Sequence, residues 1–136
     1  IINFAEMNEF KHINEKHDEL VTKYLVYIQK QVYNATETAD NGKYADFQEL
    51  LEDVVMYHND FEETGLNKDN LEEWMFTIPN LTMFTALGFF AGLRNKENDE
   101  QVEVCVRNVY SSTMDIVGSL SDLMKDQEEI KQMQQC

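Results

Sequence analysis

The chain has 136 residues, of which 43% are apolar and 27% charged, and a formal net charge of −15. That length and balance fit one domain with its own core and exclude a disordered chain. The charge argues against direct binding to nucleic-acid phosphates and disfavours anionic membrane surfaces, which repel it, and it favours a partner with a basic surface.

Five glycines and one proline are too few for sheets joined by tight turns, so long helices are expected. The first runs from about residue 3 to 38. Phe10, Ile13, His17, Leu20, Tyr24 and Tyr27 fall at alternating steps of three and four, a helical apolar seam that Leu25 and Ile28 widen. Asp40-Asn41-Gly42 then reads as its end, since Asn and Gly tolerate the left-handed conformation at a helix C-terminus. The second helix is predicted over 44–63. Phe47, Leu50, Leu51, Val54, Val55, His58 and Phe61 form its stripe, and Gly65 closes it. A short helix follows within DNLEEWMF, where Asp69 with Glu72, or Asn70 with Glu73, has capping-box spacing.

A fourth helix is predicted over 79–94, with Pro79 at its first position. From Asn80 to Leu93 it has no charged side chain. At about 21 Å it is shorter than the roughly 30 Å core of a bilayer, so no membrane crossing is expected. A helix apolar all round is expected to be buried all round, with Leu81, Phe84, Leu87, Phe90, Ala91 and Leu93 packing and Gly88 and Gly92 as a notch for a neighbouring backbone. Four helices rarely enclose one of their number, so Trp74, Met83, Phe89 and Phe90 are the candidates for an apolar partner or homo-oligomer contact.

The last helix is predicted over 99–135, capped by Asn98 with Gln101. Val102, Val106, Val109, Thr113, Ile116, Leu120 and Leu123 form its seam, and Gly118 marks close packing or a bend. Past Met124 the pattern thins, and residues 125–136 read as a frayed or exposed extension. The expected architecture is a single all-α domain over 1–136, an antiparallel bundle of four main helices plus one short helix.

Searching for chemistry yields little. His58 and Glu62 share a helix face, and His17 and His58 both sit on apolar stripes, so His17, His58 and Glu62 come nearest to a ligand set. The last two helices add no histidine and no glutamate at a seam position, so no metal and no cofactor is expected. Cys105 lies between valines and reads as a small buried hydrophobe. No nucleophile stands with a base and an orienting group, and no phosphate loop is present, so no enzymatic activity is expected. Two cysteines make no disulfide framework, which leans towards an intracellular site. The chain opens on Ile rather than Met, so a trimmed product, a processed product or a fragment is expected, with no signal peptide visible.

One exterior signal remains. Residues 46–73 carry ten acids and one lysine, a net charge of −9. Asp46, Glu49, Glu52, Asp53, Asp60, Glu62, Glu63, Glu72 and Glu73 are the candidates for an acidic partner-binding face. Like charges one turn apart cost a helix a few tenths of a kcal/mol each, and a clustered surface charge speeds encounter with a cationic partner. The functional expectation is therefore a non-catalytic protein-binding module, an inhibitor, adaptor or assembly factor of phage or viral type, engaging a basic surface. The alternatives are a nucleic-acid mimic that blocks a DNA- or RNA-binding protein, and a degenerate metal-binding bundle.

Overall fold

A computed structural model describes residues 4–37 and 41–134. Five helices follow in order: α1 Phe4–Glu37, α2 Asn41–Thr64, α3 Leu71–Trp74, α4 Thr77–Leu93 and α5 Asp99–Gln134. There is no strand among the described residues, and the four longer helices pack as an all-α bundle.

Residue pairs across the interfaces set the directions. Tyr33 meets Tyr44 edge-on at 5.3 Å and His17 meets Phe61 at 5.2 Å, so α1 and α2 are antiparallel. Phe61 lies 5.1 Å from Trp74 and Phe47 5.4 Å from Phe89, so α4 runs back along α2. Tyr24 meets Thr113 and Gln31 meets Asn108, so α5 is antiparallel to α1. Sequential neighbours alternate up and down, as short connections dictate. The cross-section is a rhombus. α1 touches α2, α4 and α5, whereas α2 and α5 do not meet. α1 and α4 thus share the short diagonal, and each keeps one face open.

The predicted seams make part of the core; Val21 and Val32 of α1 and Ile78 and Ala86 of α4, which lie outside them, complete it, and Tyr27 of the α1 seam is exposed. Ile13, Val21, Ile28 and Val32 of α1, Phe47 of α2, Ile78, Ala86 and Phe90 of α4, and Val102, Val109 and Leu120 of α5 are almost wholly buried. Buried polar groups along the α1–α5 contact are paired: the Tyr24 hydroxyl bonds to that of Thr113, which donates to the Val109 carbonyl, and Asn108 donates to Gln31 at 3.0 Å. An unpaired polar group here would cost about 1–3 kcal/mol, so these pairs pin the register of α1 on α5.

Several boundaries differ from the sequence pattern. Asn41 and Gly42 open α2 instead of ending α1, and residues 38–40 lie outside the described residues. α4 begins at Thr77, with Pro79 inside its first turn, where a missing N–H breaks no intrahelical bond. Gly118 is exposed with no atom near it, so no close packing accounts for it. The stretch read as a frayed extension is helical through Gln134. Its Gln127 is buried and donates to Glu9 at 3.2 Å, while Lys125, Asp126, Glu128 and Glu129 face water. Position 127 continues the seam by one step of four from Leu123, so the stripe goes on with a polar member.

Two turns use one device. Asn67 Oδ1 accepts from the backbone N–H groups of Asp69 and Asn70, Asn70 Oδ1 accepts from that of Asn67, and the Asn70 amide donates to the Gly65 carbonyl. Asn95 and Asn98 repeat every one of these bonds between α4 and α5, with Leu93 supplying the carbonyl. The predicted capping boxes at Asp69 and Asn70 do not form; Asn70 makes no side-chain cap bond to α3. The first turn is then tied to α1. Asn14 accepts from Leu66 N–H at 2.6 Å and donates to the Leu66 carbonyl at 3.1 Å. Gly65 precedes it at φ +72°, and a methyl group there would lie 3.3 Å from the Asn14 side chain. Gly65→Ala is therefore expected to lower stability by about 1–2 kcal/mol through the left-handed backbone alone, and Asn14→Ala by about 1–3 kcal/mol through the stranded Leu66 groups; urea denaturation measures both.

Candidate functional site

Rhombic packing leaves α4 covered by α1, α2 and α5 on three sides and bare on the fourth. Phe90, Ala86 and Ile78 point inward and are buried, while Phe84 is 66% and Leu81 39% exposed. The expectation of burial all round is thus corrected. Phe84, Leu81 and Ala91 are not core residues, and Gly88 and Gly92 have no atom within 4 Å of where a side chain would begin. They form no notch for a helix of this chain. Among the residues proposed for an apolar contact, Phe90 is core; Met83, Phe89 and Trp74 are half-buried against it. By length and composition the 23-residue stretch Leu71–Leu93 could cross a membrane: its most apolar 18-residue window has a mean hydropathy of 1.4, and one third of that window is buried in the bundle. Here it is broken at Met75 and Phe76, between α3 and α4.

The bare face is one wall of a groove of about 800 Å³ between α2 and α4. From α4 come Leu81, Phe84, Gly88 and Gly92, at steps of three and four along roughly 16 Å of helix. The α2 wall is Leu50, Val54 and Tyr57, with Asp46 and Asp53 interleaved and Lys43 at one end. Leu50 is 51% exposed, so α2 carries two adjacent apolar stripes: Phe47, Leu51, Val54 and Phe61 face the core, and Leu50 with Tyr57 faces the groove. The sequence merges them because they share Val54.

The acidic residues now divide. Asp46 and Asp53 line the groove, and Asp60, seven residues further on, and Glu49 continue their row on the same side of α2. Glu52 and Glu63 lie one step further round α2, and Glu72 and Glu73 are exposed on α3. Among the described residues no lysine or arginine is within ion-pair distance of Asp46, Glu49, Asp53 or Asp60. Arg94 is engaged elsewhere, by Asp99 at 3.2 Å and Glu103 at 2.8 Å. Glu62 departs from the row and turns towards α1.

There it joins a second group. His58 Nε2 lies 3.2 Å from Glu62 Oε1 and 3.4 Å from Asp18 Oδ1. Glu62 holds its proton above the ordinary carboxylate value, chiefly through a hydrogen bond with the Asp18 carboxyl, then through burial. Asp18 was missed in the sequence because nothing there places residue 18 opposite 58; antiparallel α1 and α2 do. His17 takes no part. It is buried, with Nε2 3.0 Å from the Met75 carbonyl and its ring on Phe61. Burial, and secondarily nearby His58, lowers its pKa below the ordinary 6.5. Glu9 accepts a hydrogen bond from Gln127, and His12 is exposed, so neither joins the group. Cys105 is buried and burial raises its thiol pKa, as suits a packed hydrophobe.

Comparison with known proteins finds no matching family model, no matching curated protein and no matching solved structure.

Two measurements check this division of residues. Phe90→Ala is expected to cost about 3–5 kcal/mol, and Phe84→Ser to change stability by about 0.5 kcal/mol or less, in urea denaturation. For His17, the unfolded chain gains a proton as pH falls through 6.5 while the folded chain resists it, so stability declines on acidification below that point. The raised Glu62 pKa acts in the opposite sense, favouring the fold at low pH and ceasing to do so as pH rises through its folded value. His17→Gln is expected to flatten the decline near pH 6.5, at lower stability throughout.

Proposed function

We propose that the protein is a non-catalytic binding module whose α2–α4 groove receives a cationic amphipathic helix of a partner protein. The observation that carries this reading is one place where two exterior features coincide: an open apolar groove, and a row of unpaired carboxylates along its lip. Apolar area alone would suit many occupants. The carboxylates select one whose polar face is basic, and they disfavour a second copy of a chain with net charge −15.

The division of labour follows from magnitudes. Phe84, Leu81, Tyr57 and Leu50 supply desolvation, at about 25 cal/mol per Å² buried, and an aromatic such as Phe84 is the usual kind of anchor. Gly88 and Gly92 leave the groove floor without side chains, so an incoming helix can approach the α4 backbone closely. Exposed ion pairs contribute about 0–1 kcal/mol each, so Asp46, Glu49, Asp53 and Asp60 chiefly set orientation and on-rate.

A nucleic-acid mimic would use the carboxylates and ignore the groove, so salt and substitution separate the readings. The probe is a labelled helical peptide with leucines at positions i, i+3, i+7 and lysines on the other face; the control replaces lysine by glutamate. We expect saturable binding of the lysine peptide, weakened severalfold but not abolished between about 50 and 500 mM salt. Phe84→Ser should weaken it tenfold or more, Asp53→Lys severalfold, and amide shifts should map to α2 and α4. Equal binding of the glutamate peptide, or indifference to Phe84→Ser, would overturn the proposal; so would preferential uptake by neutral phosphatidylcholine vesicles.

A further inference from the structure

The second cluster shares no lining residue with the groove and plays no part in that docking. Asp18 from α1 and His58 and Glu62 from α2 present one donor atom each, all within 4.8 Å of one another. They open onto a cavity of about 470 Å³, also lined by Asn14, Glu15 and Phe61. Two carboxylates face one imidazole nitrogen. Among the described residues neither carboxylate has a lysine or arginine partner. One Nε2 proton cannot serve both oxygens well, and the 3.4 Å contact is long for a hydrogen bond.

The spacing fits an ion better. In a tetrahedral site with bonds of about 2.0–2.2 Å, neighbouring ligand atoms stand roughly 3.3–3.5 Å apart. The two separations from His58 Nε2 are 3.2 and 3.4 Å. His58 itself is more than nine-tenths buried and held on the α1–α2 interface, so its Nε2 is aimed at the cavity before any ion arrives. The Thr22 hydroxyl lies 3.5 Å from Asp18 Oδ1, on its donor side. The ring's other nitrogen, Nδ1, is buried with no partner. A metal-bound histidine normally donates that N–H, and losing such support costs about 10–100-fold in affinity.

We propose that Asp18, His58 and Glu62 form a three-ligand site for a first-row divalent transition-metal ion, of the zinc type, with remaining positions open to water. One nitrogen and two oxygens suit zinc or manganese better than calcium, which takes six to eight oxygens. The unsupported Nδ1 holds the affinity about 10–100-fold below that of a site whose histidine is supported. Two helices joined by the ion would also be held together more firmly.

The test is calorimetric titration with zinc chloride alone, on a Cys136→Ser background that removes the terminal thiol from competition. Visible absorption of added cobalt(II) and thermal unfolding are recorded alongside. One equivalent of zinc is expected to bind, raising Tm, and cobalt is expected to give a tetrahedral absorption band. Asp18→Asn and Glu62→Gln change exposed side chains and keep the fold, and each should weaken zinc at least tenfold. His58→Gln should abolish binding, but its burial makes the two carboxylate variants the decisive ones. No heat and no Tm rise would overturn the proposal, since protons alone would then hold the cluster. Undiminished binding in both carboxylate variants would overturn it equally, by placing the ion elsewhere.

Discussion

The contact between α1 and α4 across the bundle's short diagonal governs the rest of the molecule. A square arrangement would give each helix two neighbours and a shared central core. Here α4 meets α1 directly, with Ile78, Ala86 and Phe90 buried, His17 on the Met75 carbonyl and the Tyr24 hydroxyl near the Pro79 carbonyl. α2 and α5 are thereby kept apart. α4 gains three neighbours and loses any cover on its fourth side. The apolar surface on that side is a consequence of the packing, because among the described residues no fifth long helix closes it. The same geometry sets α2 beside the bare face and brings its acidic row to the lip.

Much of this architecture could be read from residue spacing. The seams of α1 and α5 are long, regular and mostly occupied as expected, because a helix packed along its whole length repeats every three to four residues without ambiguity. Where a helix meets two surfaces the pattern blurs. On α2, Leu50 and Val55 look like members of the core stripe, yet both are exposed: Leu50 belongs to the groove stripe, which lies only about 80° round the helix, and Val55 lies on the other flank of the core stripe. On α4 an absence of charge says nothing about direction, so Phe84 and Phe90 look alike although one faces water and the other is buried. Glycine spacing misled for a related reason: GxxxG permits close approach, but only topology decides whether a helix is there to approach.

The turns and the histidine cluster were illegible for different reasons. NKDN and NKEN stand at 67–70 and 95–98, and each places two asparagines to exchange bonds across three residues. That signal was present and could have been found by comparing the two loops with one another. The Asp18–His58–Glu62 grouping carried no such trace, since it joins residues forty positions apart. It required knowing that His17 is held by Phe61 and the Met75 carbonyl while Asp18, the next residue, faces His58.

The bare face of α4 is the claim on which the functional account stands, and hydroxyl-radical footprinting of the dilute chain measures it side chain by side chain. Phe84, Leu81 and Tyr57 should be modified at close to unfolded-chain rates while Phe90 and Phe47 are protected by an order of magnitude or more. Protection of Phe84 equal to that of Phe90 would mean that α4 is enclosed after all, and the groove would not exist.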